Sequence, residues 1–159
     1  MHEHLVAALA ERLRARGWRL ATAESCTGGL LAAACTSVAG SSDWFERGIV
    51  SYSNAAKVEL LGVEAALIER HGAVSEEVAR AMAAGLLQRA PAQLVAAITG
   101  IAGPGGAVPG KPVGTVWLAL ATPAGVRAER LQLDGGRAAV RGQTVTTALQ
   151  RLIDAAGAG

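Results

Sequence analysis

Leu5, Val6, Leu9 and Leu13 recur at helical spacing, Arg12, Arg14 and Arg16 lie off that stripe, and Gly17 follows, so the chain is predicted to open with an amphipathic helix. The period then shortens. Residues 18–23 read as a strand, and 24–29 as a turn into a helix from 30 to about 38. Gly40, Ser41, Ser42 and Asp43 break the chain before Trp44 and Phe45. A second strand is expected over 48–53, centred on the β-branched Ile49 and Val50. Ser53 or Asn54 can cap a helix carrying Lys57, Leu60 and Leu61, and a short helix over 64–70 ends at His71 and Gly72. Ser75 caps a longer helix whose first turn holds Glu76 and Glu77, where the helix dipole favours anions, and whose buried stripe is Val78, Met82 and Leu86. The apolar run 94–98 is typical of a strand covered on both faces. Strands over 113–121 and 126–133, joined by a turn at 122–125, predict a hairpin. A last helix from about Arg137 buries Val145, Leu149, Leu152 and Ile153, and residues 154–159 are expected to fray.

Helices and strands alternate first and a hairpin comes late. That order predicts an α/β fold, a three-layer α/β/α domain with a mixed β-sheet, and 1–159 reads as one domain without repeat or linker. At 159 residues such a domain buries a core without staples. Hydrophobic residues make up 51% and aromatics only 3%, so that core must be built from Ala, Leu, Val and Ile. No apolar run approaches the ~20 residues that span a bilayer, and the first residues lack a signal-peptide layout. The expectation is a soluble, cytoplasmic protein with no membrane partner. Cys26 and Cys35 are placed in one helix, nine positions apart and out of phase, too far for a disulfide. The net charge of +2, with basic residues scattered and few aromatics between them, argues against a nucleic-acid partner. Of 15 Lys and Arg, only Lys57 and Lys111 are lysine. A lysine can lose its proton when buried and an arginine cannot, so a lysine in this chain hints at a task closed to arginine.

Three polar segments follow predicted strands: 24–29, 52–57 and 99–106. In open α/β sheets ligands collect where such strand ends meet. Ser25 sits at a strand-to-helix turn, and the amides of Thr27, Gly28 and Gly29 would be helix N-terminal donors for a phosphate or an oxyanion. Alternatively Ser25 only caps the helix and the glycines serve packing. Cys26 is a rival nucleophile, or a small buried residue. Lys57 is a possible base for a serine hydroxyl, and the Tyr52 hydroxyl could relay the proton or orient the amine, or they are a surface lysine and a packed aromatic. The loop from Thr99 through Gly100 and Gly103 suggests backbone lying close to a ligand, but it is neither a P-loop nor a GxGxxG fingerprint. His2 and His4 have no third partner in the sequence, and His71 looks like a helix-end residue, so no metal site is expected.

The stretches ATAESCTGGLLAA, SVAGSSDWFERGIVSYSNAAK, LLGV, HGAVSEEVA, AITGIAGPGG and KPVGTVWLALA, in this order, resemble the C-terminal domain family of CinA, the competence/damage-inducible protein. That family includes stand-alone nicotinamide-nucleotide amidohydrolases. The resemblance implies hydrolysis of nicotinamide mononucleotide to nicotinic acid mononucleotide and ammonia, with a small-molecule substrate and no metal or organic cofactor. It implies Ser25 as nucleophile, Lys57 as general base and Tyr52 beside them. Thr27, Gly28, Gly29, Thr99, Gly100 and Gly103 would line the substrate, and Arg137 and Arg141 would hold its phosphate. The family and the apolar balance also imply a homo-oligomer, with a dimer as the first expectation. The other class of function that the resemblance leaves open is a non-catalytic nucleotide-binding or assembly module.

Overall fold

The computed structural model describes residues 2–157. Six helices and five strands follow one another as α1 (Glu3–Arg16), β1 (Leu20–Glu24), α2 (Leu30–Cys35), β2 (Phe45–Val50), α3 (Asn54–Leu61), α4 (Ala65–His71), α5 (Glu76–Arg89), β3 (Leu94–Gly100), β4 (Thr115–Thr122), β5 (Gly125–Gln132) and α6 (Arg137–Gly157). The sheet order is β2-β1-β3-β4-β5. β1 pairs in parallel with β2 and with β3, whereas β3–β4 and β4–β5 are antiparallel. The architecture is therefore a three-layer α/β/α domain on a mixed sheet.

The two sheet faces differ because strand side chains alternate. Leu20, Leu94, Ala96, Ile98, Val116, Leu118 and Leu120 face one way and pack against α1, α2 and α6. Ala21, Ala23, Val95, Ala97, Ala119 and Ala121 face the other way, toward α3, α4 and α5. The second face is paved almost wholly with alanine, so α5 lies close to the backbone of the sheet. At Gly85 of α5 an added Cβ would overlap the carbonyl oxygen of Leu61 at the end of α3.

The chain reaches β2 from β1 through α2 on one face, then returns to β3 through α3–α5 on the other. The onward connections of β1 and β2 thus leave to opposite faces. Between their C-terminal ends a crevice opens, the usual ligand position in such sheets.

Four sequence expectations change. β2 spans Phe45–Val50 rather than 48–53, because it pairs with β1 from Leu20 opposite Phe45 to Glu24 opposite Val50; Gly48 is thus in mid-strand, where a Cβ would sit 2.9 Å from Ala32 Cβ. α2 ends at Cys35, short of residue 38, because the hydroxyls of Thr36 and Ser37 donate to the carbonyls of Ala32 and Ala34 (2.8 and 2.7 Å), and such side-chain bonds compete with helix continuation. Cys26 lies in the turn before α2, not in the helix with Cys35; both cysteines are free and buried. α6 runs on through Gly157, past residue 154 where the tail is expected to begin. Arg12 donates to the Ile153 carbonyl (2.7 Å) and Arg16 to those of Ala155 and Ala156, so α1 satisfies the exposed carbonyls that end α6. Residues 158 and 159 of that expected tail lie outside the described residues.

The Gly85 contact gives a signed test. In an open helix interior Gly→Ala stabilises by up to ~1 kcal/mol, but overpacking costs ~1–3 kcal/mol. Gly85→Ala should lower the urea midpoint; a raised midpoint would show that α3 yields without cost.

Candidate active site

The site is built where β1, β2 and β3 end. β1 runs into Ser25, whose amide donates to the Ile98 carbonyl of β3 (3.0 Å). β2 runs into Ser51, whose amide donates to the Glu24 carbonyl (2.9 Å). Two residues later Ser53 caps α3, its hydroxyl accepting from the Ala56 amide (3.0 Å), and this starts the helix so that Lys57, one turn in, points back to the sheet.

Lys57 is 1% exposed and Ser25 8%. Lys57 Nζ lies 3.1 Å from Ser25 Oγ and donates to the carbonyls of Ser51 and Tyr52 (3.0 Å each). All three of these neighbours are neutral oxygens. Burial without a counter-ion holds the lysine pKa below its ordinary 10.5, partly opposed by the Cys26 thiol. As placed, Nζ donates to Ser25 Oγ as well as to the two carbonyls, the three bonds of an ammonium; a neutral amine at the same position has two N–H bonds for the carbonyls and a lone pair for the Ser25 proton. A general base must lie within hydrogen-bond reach of the proton it takes, and 3.1 Å meets that requirement. Ser25 Oγ also lies 3.3 Å from the Tyr52 carbonyl, an alternative acceptor for its proton.

The segment 25–29 is a tight turn rather than a helix start. Gly28 and Gly29 have φ of 58° and 106°, a left-handed region that favours glycine. The Gly28 amide donates to the Ser25 carbonyl (3.0 Å). The first amides of α2, Leu31 and Ala32, donate to the two carboxylate oxygens of Glu24 (2.9 and 3.0 Å). Of the expected donor amides of Thr27, Gly28 and Gly29, that of Gly28 is spent on the Ser25 carbonyl, and the helix terminus that follows them already holds a buried carboxylate.

Around the Ser25–Lys57 pair opens a cleft of about 200 Å³ lined by Cys26, Tyr52, Asn54, Ala73, Val74, Thr99, Gly100, Ala102 and Arg137 as well as the pair itself. Thr99 Oγ1 donates to the Ala73 carbonyl (2.9 Å), fixing the α4–α5 connection as one wall. Gly100 keeps its place for packing: a Cβ there would lie 2.7 Å from Val116 Cγ2 and 3.1 Å from Cys26 Sγ. Of the other expected residues, Thr27, Gly28, Gly29 and Gly103 do not line the cleft.

The two arginines separate. Arg137 stands at the rim, donating to the Gly103 carbonyl (2.9 Å) and to the Tyr52 hydroxyl (3.2 Å). Arg141 lies off the cleft, its guanidinium given to the carbonyls of Cys26 and Thr27 (3.0 and 3.3 Å). Tyr52 also departs from the expected relay, because its carbonyl joins the Lys57 cage while its half-exposed ring carries the hydroxyl out to Arg137. Burial pushes the Cys26 thiol up to about 11, so it is protonated near neutrality and a poor rival to Ser25.

Larger hollows of about 290 and 510 Å³ lie along β4, β5 and α6, but their walls hold no nucleophile beside a base, and Arg151 there is paired with Glu129. Among the described residues no three His, Cys, Asp or Glu side chains converge on a possible metal position, and no helix is long and apolar enough to cross a membrane.

The sequence reading gives no site role to Glu24, Asn54, Ala73, Val74 or Ala102, although Glu24, Asn54 and Ala102 lie within its three polar segments. Glu24 carries a further signal, an acidic residue at the end of a short strand of small and apolar residues; Ala73 and Val74 enter only through the tertiary fold.

The CinA C-terminal domain profile matches residues 2–156, nearly the whole chain. The chain belongs to the CinA C-terminal domain family. Among its relatives, "Nicotinamide-nucleotide amidohydrolase PncC" of Enterobacter agglomerans is 50% identical over 151 residues, covering 94% of this chain and 92% of that protein. A "CinA-like protein" of Mycolicibacterium vanbaalenii is 57% identical over 145 residues, covering 91% of this chain. The match takes up only 34% of that longer protein, so this chain is similar both to short and to much longer family members. A crystal structure of a CinA superfamily protein from Klebsiella pneumoniae superposes with a TM-score of 0.94 at 40% identity, covering 98% of each chain. That of competence/damage inducible protein CihA from Agrobacterium tumefaciens gives 0.92 at 45% identity, covering 96% of this chain and 93% of the other.

The buried amine makes stability depend on pH. Its folded-state pKa lies below the unfolded 10.5, so in that window the unfolded chain binds the extra proton and stability rises with pH. A ¹³C titration of the Lys57 Cε resonance should show a midpoint below 10.5, and Lys57→Met should lose the matching slope in stability. A midpoint at or above 10.5 would mean that the amine stays charged in the cleft.

Proposed function

We propose that this chain hydrolyses the carboxamide of nicotinamide mononucleotide to nicotinic acid mononucleotide and ammonia. The observation that carries the reading is the Lys57 amine, buried without a counter-ion and 3.1 Å from Ser25 Oγ. Full-length similarity to relatives named nicotinamide-nucleotide amidohydrolase supplies the substrate class.

Neutral Lys57 takes the Ser25 proton as Oγ attacks the carboxamide carbon. The oxyanion is held by the Cys26 amide at the cleft wall rather than by the Ser25 amide, which serves Ile98, or by the first-turn amides of α2, which Glu24 occupies. The Lys57 ammonium, retained by the Ser51 and Tyr52 carbonyls, protonates the leaving nitrogen, and the C–N bond breaks to release ammonia. A water then gives a proton to Lys57 and attacks the acyl carbon. The C–Oγ bond breaks, Ser25 regains its proton, and the carboxylic acid product leaves ionised. No step calls on a metal or an organic cofactor.

The cleft of about 200 Å³ is smaller than the ~300–1,000 Å³ of pockets that enclose a whole drug-sized ligand. Its apolar walls, Ala73, Val74 and Ala102, suit the pyridine ring and its amide, leaving the ribose phosphate at the rim beside Arg137.

Ammonia release from nicotinamide mononucleotide is the direct test. Wild type should turn over, and Ser25→Ala and Lys57→Arg should each lose on the order of 10³-fold or more in kcat. Cys26→Ala should stay active. Loss of activity in Cys26→Ala alone would move the nucleophile to the thiol, and a folded wild type that binds the nucleotide without turnover would make this a binding module. In the active enzyme the acid limb of kcat/KM should coincide with the Lys57 titration, activity rising as the amine deprotonates.

A further inference from the structure

Glu24 is the last residue of β1 and is 1% exposed, a carboxylate buried one position before Ser25. Buried carboxylates are costly unless fully hydrogen-bonded. Here both oxygens accept main-chain amides, Leu31 at 2.9 Å and Ala32 at 3.0 Å. These are first-turn amides of α2, whose own N-cap, Gly29, has no side chain to offer. Glu24 therefore caps a helix from the strand that precedes it and closes residues 25–30 into a loop with both ends fixed. Its main chain is engaged as well: the Glu24 carbonyl accepts the Ser51 amide (2.9 Å), and the Ser51 carbonyl in turn accepts from Lys57 Nζ (3.0 Å). One residue thus joins the segment carrying Ser25 to the segment caging Lys57. From the outer side Arg141 holds the same turn through the carbonyls of Cys26 and Thr27.

We infer that Glu24 is a positioning residue for the Ser25–Lys57 pair: its carboxylate ties the first turn of α2 to the end of β1 and so sets where Ser25 Oγ meets Lys57 Nζ. The inference rests on the proposed hydrolysis only for its kinetic arm. Glu24→Gln keeps the shape but turns an NH₂ donor toward one of the two amide donors. Glu24→Asp keeps the charge but is one methylene too short to hold both amides. The Ser51 bond to the Glu24 carbonyl survives in either, so only the side chain is tested.

The experiment compares the full chain as wild type, Glu24→Gln and Glu24→Asp, with circular dichroism to select the folded variants. It reads kcat and KM for nicotinamide mononucleotide, the rate of Ser25 labelling by a fluorophosphonate, exchange of the Leu31 and Ala32 amides, and the Lys57 Cε resonance. A displacement of about 1 Å at a reacting group costs on the order of 100-fold, so kcat and the labelling rate should fall by that order with KM little changed. The two amides should exchange faster, and the Lys57 resonance should move. Faster amide exchange with kcat, labelling and the Lys57 resonance all at wild-type values would leave Glu24 a plain helix cap and overturn the inference. If wild type is labelled but releases no ammonia, the substrate reading fails alone and the labelling rates still decide. If wild type is not labelled either, an unmoved Lys57 resonance in the folded variants overturns the inference and a moved one supports it.

Discussion

An amine held out of water with three neutral oxygens around it is the constraint on which this structure turns. Lys57 Nζ faces the carbonyls of Ser51 and Tyr52 and the hydroxyl of Ser25, with no carboxylate among these partners to fix its charge. A carboxylate there would stabilise the ammonium and raise the lysine pKa. Neutral carbonyls instead accommodate either protonation state, accepting from the amine and from the ammonium alike. Lys57 sits in α3 but its partners come from the ends of β1 and β2, so the cage exists only when helix, strand ends and turn are all in register.

The mixed sheet divides the labour. Its parallel half, β2-β1-β3, brings three strand ends and their loops to one edge, where Ser25, Lys57 and Thr99 meet. Its antiparallel half adds breadth for α5 and α6 to cover. The alanine face matters to the site as well: with α5 close to the sheet, the connection ahead of it comes near enough for the Ala73 carbonyl to accept from Thr99. A bulkier face would lift that wall away from the cleft.

Arginines perform mostly architectural work. Arg12 and Arg16 finish α6, Arg141 holds the Ser25 turn, and Arg137 spans from the 103 loop to the Tyr52 ring. Permanently charged forks suit that task, because each can serve two carbonyls without ever titrating. The two lysines differ: Lys111 also holds a carbonyl, that of His71 (2.8 Å), while Lys57 is the one buried beside a serine hydroxyl, 3.1 Å from Ser25 Oγ.

The sequence by itself determined the elements and the class of fold. Period-3.6 stripes such as Val6, Leu9 and Leu13, the Ser75 cap and the unbroken apolar run of β3 are local physics, legible residue by residue. It also determined the candidates: a serine at a strand-to-helix turn, one lysine after a tyrosine, and a Thr-Gly loop, which the motif order tied to one family. What it could not hold were assignments that depend on residues far apart in the chain. Tyr52 read as a hydroxyl relay, yet its carbonyl is what meets Lys57; Arg141 read as a phosphate ligand, yet it serves Cys26 and Thr27 more than 100 positions away. The glycine-rich turn reads as an open helix terminus, yet the Glu24 carboxylate closes it. Local pattern specifies which groups are available, because propensity and period act over a few residues. Only the folded chain decides which hydrogen-bonding atom of each group is left over for chemistry, because that depends on every partner the tertiary structure brings to it.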